Sequence, residues 1–212
     1  MDNKQSFKNF YWKRFHSLSG MILVGFFVIM HFYTNSFAAG GEQAYNDRLA
    51  ETLKNPWLLA IEIIFLYIPL LFHMLLGLSF VFKAKYNVTR YKYLDNWRFL
   101  LQRLSGLGLA LFIGAHFYKT RIEYWLHGTP KEGWYQHMHH AFTDEWYVLP
   151  IYVLGILGVM FHLGNGLWTF TNTMGWTKGV NSQRKMKVYS IIFMLILAVM
   201  GFYPLYLLTK GM

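Results

Sequence analysis

The sequence predicts an all-α integral membrane protein, a bundle of five transmembrane helices. Hydrophobic residues make up 55% of the 212 residues and charged residues only 14%, which is too apolar for an ordinary soluble domain of this length. Five apolar segments are long enough to cross a bilayer, and basic residues and tryptophans mark their ends. We therefore expect one transmembrane domain over residues 1–212.

The five apolar segments are each sufficient for a tilted transmembrane helix. They lie at about 15–38, 57–83, 99–122, 146–172 and 186–208. An odd number of spans puts the two termini on opposite sides of the membrane. The small residues Ala38, Ala39 and Gly40 follow a basic N-terminus and leave a cleaved signal peptide as an alternative for the first segment, although its apolar core is longer than such peptides usually have.

Basic residues are concentrated on one predicted side of the membrane. That side holds Lys4, Lys8, Lys13, Arg14, Lys83, Lys85, Arg90, Lys92, Arg98, Arg103, Lys178, Arg184, Lys185 and Lys187. The opposite side carries most of the acids. By the positive-inside rule the basic side and the N-terminus face the cytoplasm. We therefore interpret the net charge of +10 as setting the orientation in the membrane and attracting a partner at its surface, and not as a sign of nucleic-acid binding.

The chain contains no cysteine, which excludes disulfides and thiolate-ligated iron–sulfur clusters. Any redox centre must therefore use His, Met or carboxylate ligands. Four of the apolar segments each carry one deep histidine: His31, His73, His116 and His162. An ionisable side chain at such a depth is costly unless something binds it, so these four are functional candidates.

The histidines fall at two depths. His31 and His116 each lie roughly 26 Å from the basic side, and His73 and His162 roughly 15 Å from it, at about 1.5 Å of rise per residue. Two imidazoles facing each other at one level are the axial ligands of a b-type haem, so the sequence predicts two stacked b haems. Gly158 and Gly166, one turn to either side of His162, are expected to clear a face for a flat ligand, and Gly77 follows His73 by one turn.

Other polar residues leave alternatives open. His16, beside Arg14 at the inner end, suits either a haem propionate or a structural cap. His137, His139 and His140 form a His-x-His-His cluster in an outer segment that we interpret as a solvated stretch rather than a zinc site. A transporter would also bury histidines, but it would more often add several acids and broken helices. A membrane metal hydrolase would need a carboxylate beside its ligands.

Several motifs together resemble the cytochrome b anchor subunit of type B succinate:quinone oxidoreductases and fumarate reductases, the five-helix class with two haems. The resemblance covers nearly the whole chain. It rests on Arg14-Phe15-His16-Ser17-Leu18, Glu62 through Pro69 to His73, Asn96-Trp97, Gln102-Arg103, Phe161-His162, Asn165-Gly166-Leu167-Trp168 and Ser182-Gln183-Arg184. The family pairs its haem ligands between helices one and three and between helices two and four, as the depths also predict.

The resemblance implies a function in the bacterial cell membrane. A flavoprotein subunit and an iron–sulfur subunit would dock on the cytoplasmic face and pass electrons from succinate through two haems to a quinone, usually menaquinone. The chain would act as the membrane subunit of this enzyme, without a succinate site of its own. The resemblance also implies five residues around the haems besides the four ligands: His16, Ser17, Arg103, Asn165 and Trp168.

Two alternatives within redox chemistry remain. Some fumarate reductases of the class carry a proton-conducting glutamate two residues before the fourth haem ligand, where this chain has Met160, which favours succinate oxidation over fumarate reduction. An anchor for a hydrogenase, formate dehydrogenase or nitrate reductase is the other alternative.

Glu62 is the candidate catalytic residue. It precedes His73 by three helical turns, so it lies on nearly the same face and roughly 16 Å further out, near the level of His31 and His116. Quinone reduction takes up protons, which a carboxyl group at this depth would supply. The alternative is an interfacial residue favoured by the helix N-terminus, about one turn inside Trp57.

Overall fold

The computed structural model describes residues 3–211, with side chains from Phe10 onward, and this part of the chain is helical with no β-strand. Five helices are long and apolar enough to cross a membrane, which confirms the predicted five-span, all-α class. They are Phe10–Leu53, Leu58–Lys83, Leu94–His127, Val148–Met174 and Val180–Lys210. The chain is thus a multi-pass membrane protein. Lys4 and Lys8, two of the predicted inner charges, have side chains outside the described residues.

The first span is continuous but changes its winding twice. It consists of α1 (Asn3–Leu18), a π-helical turn (Ser19–Val24), α2 (Gly25–Asn35), a 3₁₀ turn (Ser36–Gly40) and α3 (Gly41–Leu53). Gly41 has a φ of 81°, which only glycine adopts without strain, and it redirects the chain into α3. We call the end of the bundle nearer α1 the inner end and the end nearer α3 the outer end.

The second and third spans also contain π-helical turns, a form that often marks functional sites. The second consists of α4 (Leu58–Glu62), a π turn (Ile63–Tyr67) and α5 (Ile68–Lys83). Pro69 stands in the first turn of α5, and the wide turn ahead of it suits a residue that has no N–H to donate. The third consists of α6 (Leu94–Phe117), a π turn (Tyr118–Ile122) and α7 (Glu123–His127).

The fourth and fifth spans are uninterrupted: α9 (Val148–Met174) and α10 (Val180–Lys210). Gly175 ends α9 in the left-handed conformation. α9 packs against α1, α6 and α10 and carries more buried residues than any other described helix, so it forms the centre of the bundle. At their inner ends α6 and α10 begin several residues before the apolar segments, because hydropathy detects only the apolar part of a helix.

The outer end is closed by two helices that pack on each other, α3 and α8 (Gly133–Thr143). Tyr135 is fully buried there, among a cluster that includes Tyr45, Phe142, Leu205 and Leu208. The segment with the His-x-His-His cluster is therefore an ordered, half-buried helix, and the expectation of a solvated stretch was wrong. A single histidine-rich stretch of sequence does not reveal that its apolar residues pack against α3 and α10.

Candidate functional site: two pairs of histidines in the bundle

The inner pair joins the second and fourth spans. His73 on α5 and His162 on α9 have ring centroids 6.2 Å apart, with ring planes at 87°. The outer pair joins the first and third spans: the centroids of His31 on α2 and His116 on α6 are 5.7 Å apart, with planes at 79°. The structure thus brings together the same two pairs that the sequence depths select.

Both separations suit one metal ion between two imidazoles. A metal–nitrogen bond is about 2 Å long and the ring centre lies roughly 1 Å further, so imidazoles on opposite sides of one iron have centres about 6 Å apart. Among the residues described, no group of three or more His, Asp, Glu or Cys side chains converges to hold a metal by itself. Two ligands per site leave the remaining coordination positions to a macrocycle, which is the arrangement of a haem.

The inner histidines each have Nδ1 beside a backbone carbonyl. Nδ1 of His73 lies 2.8 Å from the oxygen of His16, and Nδ1 of His162 lies 3.1 Å from the oxygen of Gln102. A carbonyl only accepts hydrogen bonds, so Nδ1 of His73 carries the proton and donates it. Nδ1 of His162 also lies 3.2 Å from the hydroxyl of Ser105 and 3.3 Å from the amide nitrogen of Gln102, and the carbonyl is the nearest of its three partners, which favours the same tautomer. The lone pair on Nε2 is then free, as an axial ligand requires.

The outer histidines contact side chains instead. Nδ1 of His116 lies 2.9 Å from the hydroxyl of Tyr152 on α9. Nε2 of His31 lies 3.3 Å from the amide nitrogen of Asn35, which donates to the backbone oxygen of His31 at 2.8 Å. The side-chain oxygen of Asn35 accepts a hydrogen bond from Tyr45 on α3. Sequence reasoning did not identify Tyr152 or Asn35, although Asn35 follows His31 by one helical turn.

Glycines from neighbouring helices make room for the inner rings. A Cβ atom on Gly20 would lie 2.1 Å from Cε1 of His73, and one on Gly106 would lie 2.9 Å from Cε1 of His162. Gly158 and Gly166, which were expected to clear a face beside His162, instead face Leu109 and the side chains of Met21 and Gln102. The glycines that make room for the rings themselves thus come from other helices, and a face cleared for a flat ligand by Gly158 and Gly166 stays a prediction.

His16 lies directly on the inner pair. Its ring stacks on His73 with centroids 3.9 Å apart and planes at 9°, and Gly77 gives it space. Its Nδ1 is buried without a hydrogen-bond partner among the described residues. The half-buried hydroxyl of Ser17, the next residue, makes no hydrogen bond within the same part of the chain.

The other three predicted cofactor residues differ in their surroundings. Nε of Arg103 and Nε1 of Trp168 are buried and have no partner within residues 10–211. Arg103 folds back to donate to the oxygen of Phe99 at 2.8 Å. Asn165 is 1% exposed and is held by two side chains, since it accepts from Arg98 and donates to Gln102.

Glu62 forms an ion pair with Arg121 near the level of the outer histidine pair. Its carboxylate accepts hydrogen bonds from Arg121 and, at 3.1 Å, from Tyr67. Arg121 follows His116 by five residues, so the carboxylate lies on the outer side of the outer pair. The expectation did not include Arg121, which only the packing of α4 against the end of the third span identifies. Near the same surface, hydrogen bonds from Lys119 and Tyr147 hold the pKa of Glu145 below its usual range.

Two comparisons with known proteins agree with this geometry. A family model described as the succinate dehydrogenase/fumarate reductase transmembrane subunit matches residues 8–93. The chain is also 34% identical over 194 residues to the succinate dehydrogenase cytochrome b558 subunit of Bacillus subtilis (strain 168). That alignment covers 92% of this chain and 94% of the other protein, so the similarity extends over nearly the whole length.

Proposed function

The chain belongs to the family of succinate dehydrogenase/fumarate reductase transmembrane subunits, and we propose that it is the cytochrome b membrane anchor of a succinate dehydrogenase. In this role it conducts electrons between the soluble subunits that oxidise succinate and a quinone in the membrane. The succinate site lies on another subunit. The single observation that carries the proposal is the arrangement of four histidines in two facing pairs on four helices.

The proposal assigns two b haems to the chain. His73 and His162 would hold the inner haem, and His31 and His116 would hold the outer haem. The ring separations of 6.2 and 5.7 Å and the Nδ1 hydrogen bonds of the inner rings support this assignment. When bound, the haems supply two one-electron carriers on the route between the soluble partner and the quinone.

The inner haem's propionates are proposed to lie near His16, Ser17, Arg103 and Trp168. Arg103 and Trp168 each present a buried nitrogen donor that has no partner in the described part of the chain, and His16 presents a buried Nδ1. A buried polar atom without a partner costs about 1–3 kcal/mol, so a carboxylate acceptor would remove a real penalty here. Asn165 is already occupied by Arg98 and Gln102 and is assigned to supporting His162 instead.

The inner end is proposed to face the cytoplasm and to dock the flavoprotein and iron–sulfur subunits. Residues 83–103 and 175–187, which comprise two inner loops and the beginnings of α6 and α10, are strongly basic, which suits attraction of an acidic partner. The inner histidine pair is the one nearer this surface. With the N-terminus inside, the chain would reside in the bacterial cell membrane in contact with lipid on the outer faces of the helices.

The quinone, menaquinone or another, is proposed to react near the outer haem with Glu62 as the proton-transferring group. The carboxylate lies just beyond the outer pair and is largely buried between Arg121 and Tyr67. Tyr67 can pass a proton to or from the carboxylate through its hydroxyl. Met160 in place of an acid near His162 supports succinate oxidation as the direction.

One experiment tests the core of the proposal. Haem content of the purified chain, measured as the pyridine haemochrome against protein, should be two per polypeptide. Addition of succinate to membranes that contain the full complex should then reduce both haems. A ratio of one or zero for intact protein would contradict the pairing, and haems that succinate does not reduce would point to another oxidoreductase.

A further inference from the structure

A buried chain of hydrogen bonds leads from Arg98, near the inner end of α6, to His162. Nε of Arg98 donates to Oδ1 of Asn165 at 2.8 Å, and Nδ2 of Asn165 donates to Oε1 of Gln102 at 2.7 Å. Nε2 of Gln102 then donates to the backbone oxygen of His162 at 3.0 Å. Arg98 and Asn165 are 7% and 1% exposed, so the first of these bonds is shielded from water, and the two bonds of Gln102 are partly buried.

The direction of this chain follows from Arg98. A guanidinium group can only donate, so it turns the oxygen of Asn165 towards itself and leaves the nitrogen for Gln102. The same logic turns the nitrogen of Gln102 towards His162. The backbone oxygen of Gln102 meanwhile accepts from Nδ1 of His162 at 3.1 Å, so one residue contacts His162 at both its ring and its carbonyl. Rotation and tautomer of the ring are both constrained.

The charge of Arg98 has no carboxylate at hydrogen-bonding distance among residues 10–211. Its side-chain partners are neutral: Asn165, and Ser190 at 3.0 Å, which is fully buried. The guanidinium carbon also lies 4.7 Å from the ring centroid of Trp168. Asp95, three residues earlier, is bound by Lys187 at 2.7 Å. A largely buried positive charge without a hydrogen-bonded carboxylate is therefore linked to His162 through two residues, Asn165 and Gln102.

We propose that Arg98, Asn165 and Gln102 are positioning residues that hold His162 with its proton on Nδ1, and that the charge of Arg98 raises the midpoint potential of the inner haem. Reduction removes one positive charge from the haem, so a nearby cation in a low-dielectric site favours the reduced form. This inference rests on the proposed function, because it requires a haem at the inner pair. It adds Arg98, which lies outside the motifs, and gives Gln102 and Asn165 of the motifs a defined task at His162.

The test is a redox titration of the purified full chain, followed optically. The inner component is identified as the one that His162→Leu removes. Arg98→Gln removes the charge, and Asn165→Asp neutralises it with little change of shape. Both should make reduction of the inner component at least about tenfold less favourable, which is ~59 mV for a one-electron couple. Arg98→Lys keeps the charge and a donor and should stay near the wild-type potential.

Lys13→Gln, which removes an exposed positive charge at the inner end of α1, is the matched control and should leave both potentials unchanged. If Arg98→Gln does not retain the inner haem, the titration of Asn165→Asp decides. The inference fails if the charge-removing variants titrate like Lys13→Gln, or if both components shift equally. Absence of haem from the wild-type chain would instead contradict the proposed function, so the two failures are distinguishable.

Discussion

The backbone oxygen of His16 lies 2.8 Å from Nδ1 of His73, and the two imidazoles stack with centroids 3.9 Å apart. His16 is the third residue before the π-helical turn that opens at Ser19, and Gly20 in that turn lies against Cε1 and Nδ1 of the His73 ring. Two residues one helical turn apart on the first span thus confine a histidine of the second span. These contacts hold the His73 ring against the first span.

Gly20→Ala should therefore disturb the inner site. The added Cβ would lie 2.1 Å from Cε1 of His73, so either the ring or the first span must move, and overpacking of this kind costs about 1–3 kcal/mol. We expect the inner haem component to fall severalfold while the outer component is retained, as measured from the optical spectrum of the purified chain. Gly108→Ala is the control, because its Cβ would meet no atom within 4 Å. Equal spectra for both variants would show that the inner site does not require the space that Gly20 leaves for the His73 ring.

The two histidine pairs should be separable by substitution. His73→Leu and His162→Leu should each remove one spectral component, and His31→Leu and His116→Leu the other, because loss of one axial imidazole leaves a five-coordinate or empty site. Reduced-minus-oxidised spectra of the four variants are the measurement. Loss of the same component in His73→Leu and His116→Leu would show that the pairing is wrong.

Glu62→Gln should stall quinone turnover and leave both haem components intact. The amide keeps the size and the hydrogen bond from Arg121 but cannot accept or release a proton. The measurement is succinate-driven quinone reduction by the assembled complex across pH, beside its spectrum. Glu51→Gln, on the exposed surface of α3, is the matched control and should behave as the wild type.

Glu62→Gln also leaves Arg121 without its carboxylate partner, and removal of one member of a buried ion pair by itself lowers stability by about 3–5 kcal/mol. The double variant Glu62→Gln with Arg121→Gln removes both charges and separates the two roles. If Glu62 transfers protons, the double variant should remain stalled. Recovery of turnover in the double variant would show that Glu62 serves only to neutralise Arg121.

Charge reversal on the inner surface should weaken assembly with the soluble subunits. Arg90→Glu together with Lys92→Glu changes the loop before α6, where an acidic partner would be attracted, and haem content should stay normal. Co-purification of the flavoprotein and iron–sulfur subunits is the measurement, at low and high salt. Lys54→Glu with Lys131→Glu, two exposed lysines at the outer end, is the control. Unchanged co-purification in both would mean that the inner charges serve topology alone.

The five spans and the depth of each histidine could be read from the sequence, because both depend on local properties. Hydropathy over about 20 residues marks a span, and a rise of about 1.5 Å per residue turns sequence distance into depth. Those two rules were enough to select His31 with His116 and His73 with His162, the pairs that face each other in the structure.

The surroundings of those histidines were decided only by tertiary structure, since they depend on how each helix is rotated and tilted against its neighbours. Gly20 and Gly106 contact the rings of His73 and His162, which belong to other helices. Arg121 pairs with Glu62, which lies 59 positions earlier in the sequence. Arg98 and Gln102 are spaced one turn apart on α6, and His162 and Asn165 nearly one turn apart on α9. Either spacing alone fits any helix face, and only the packing of α6 against α9 brings the four residues into one hydrogen-bonded chain.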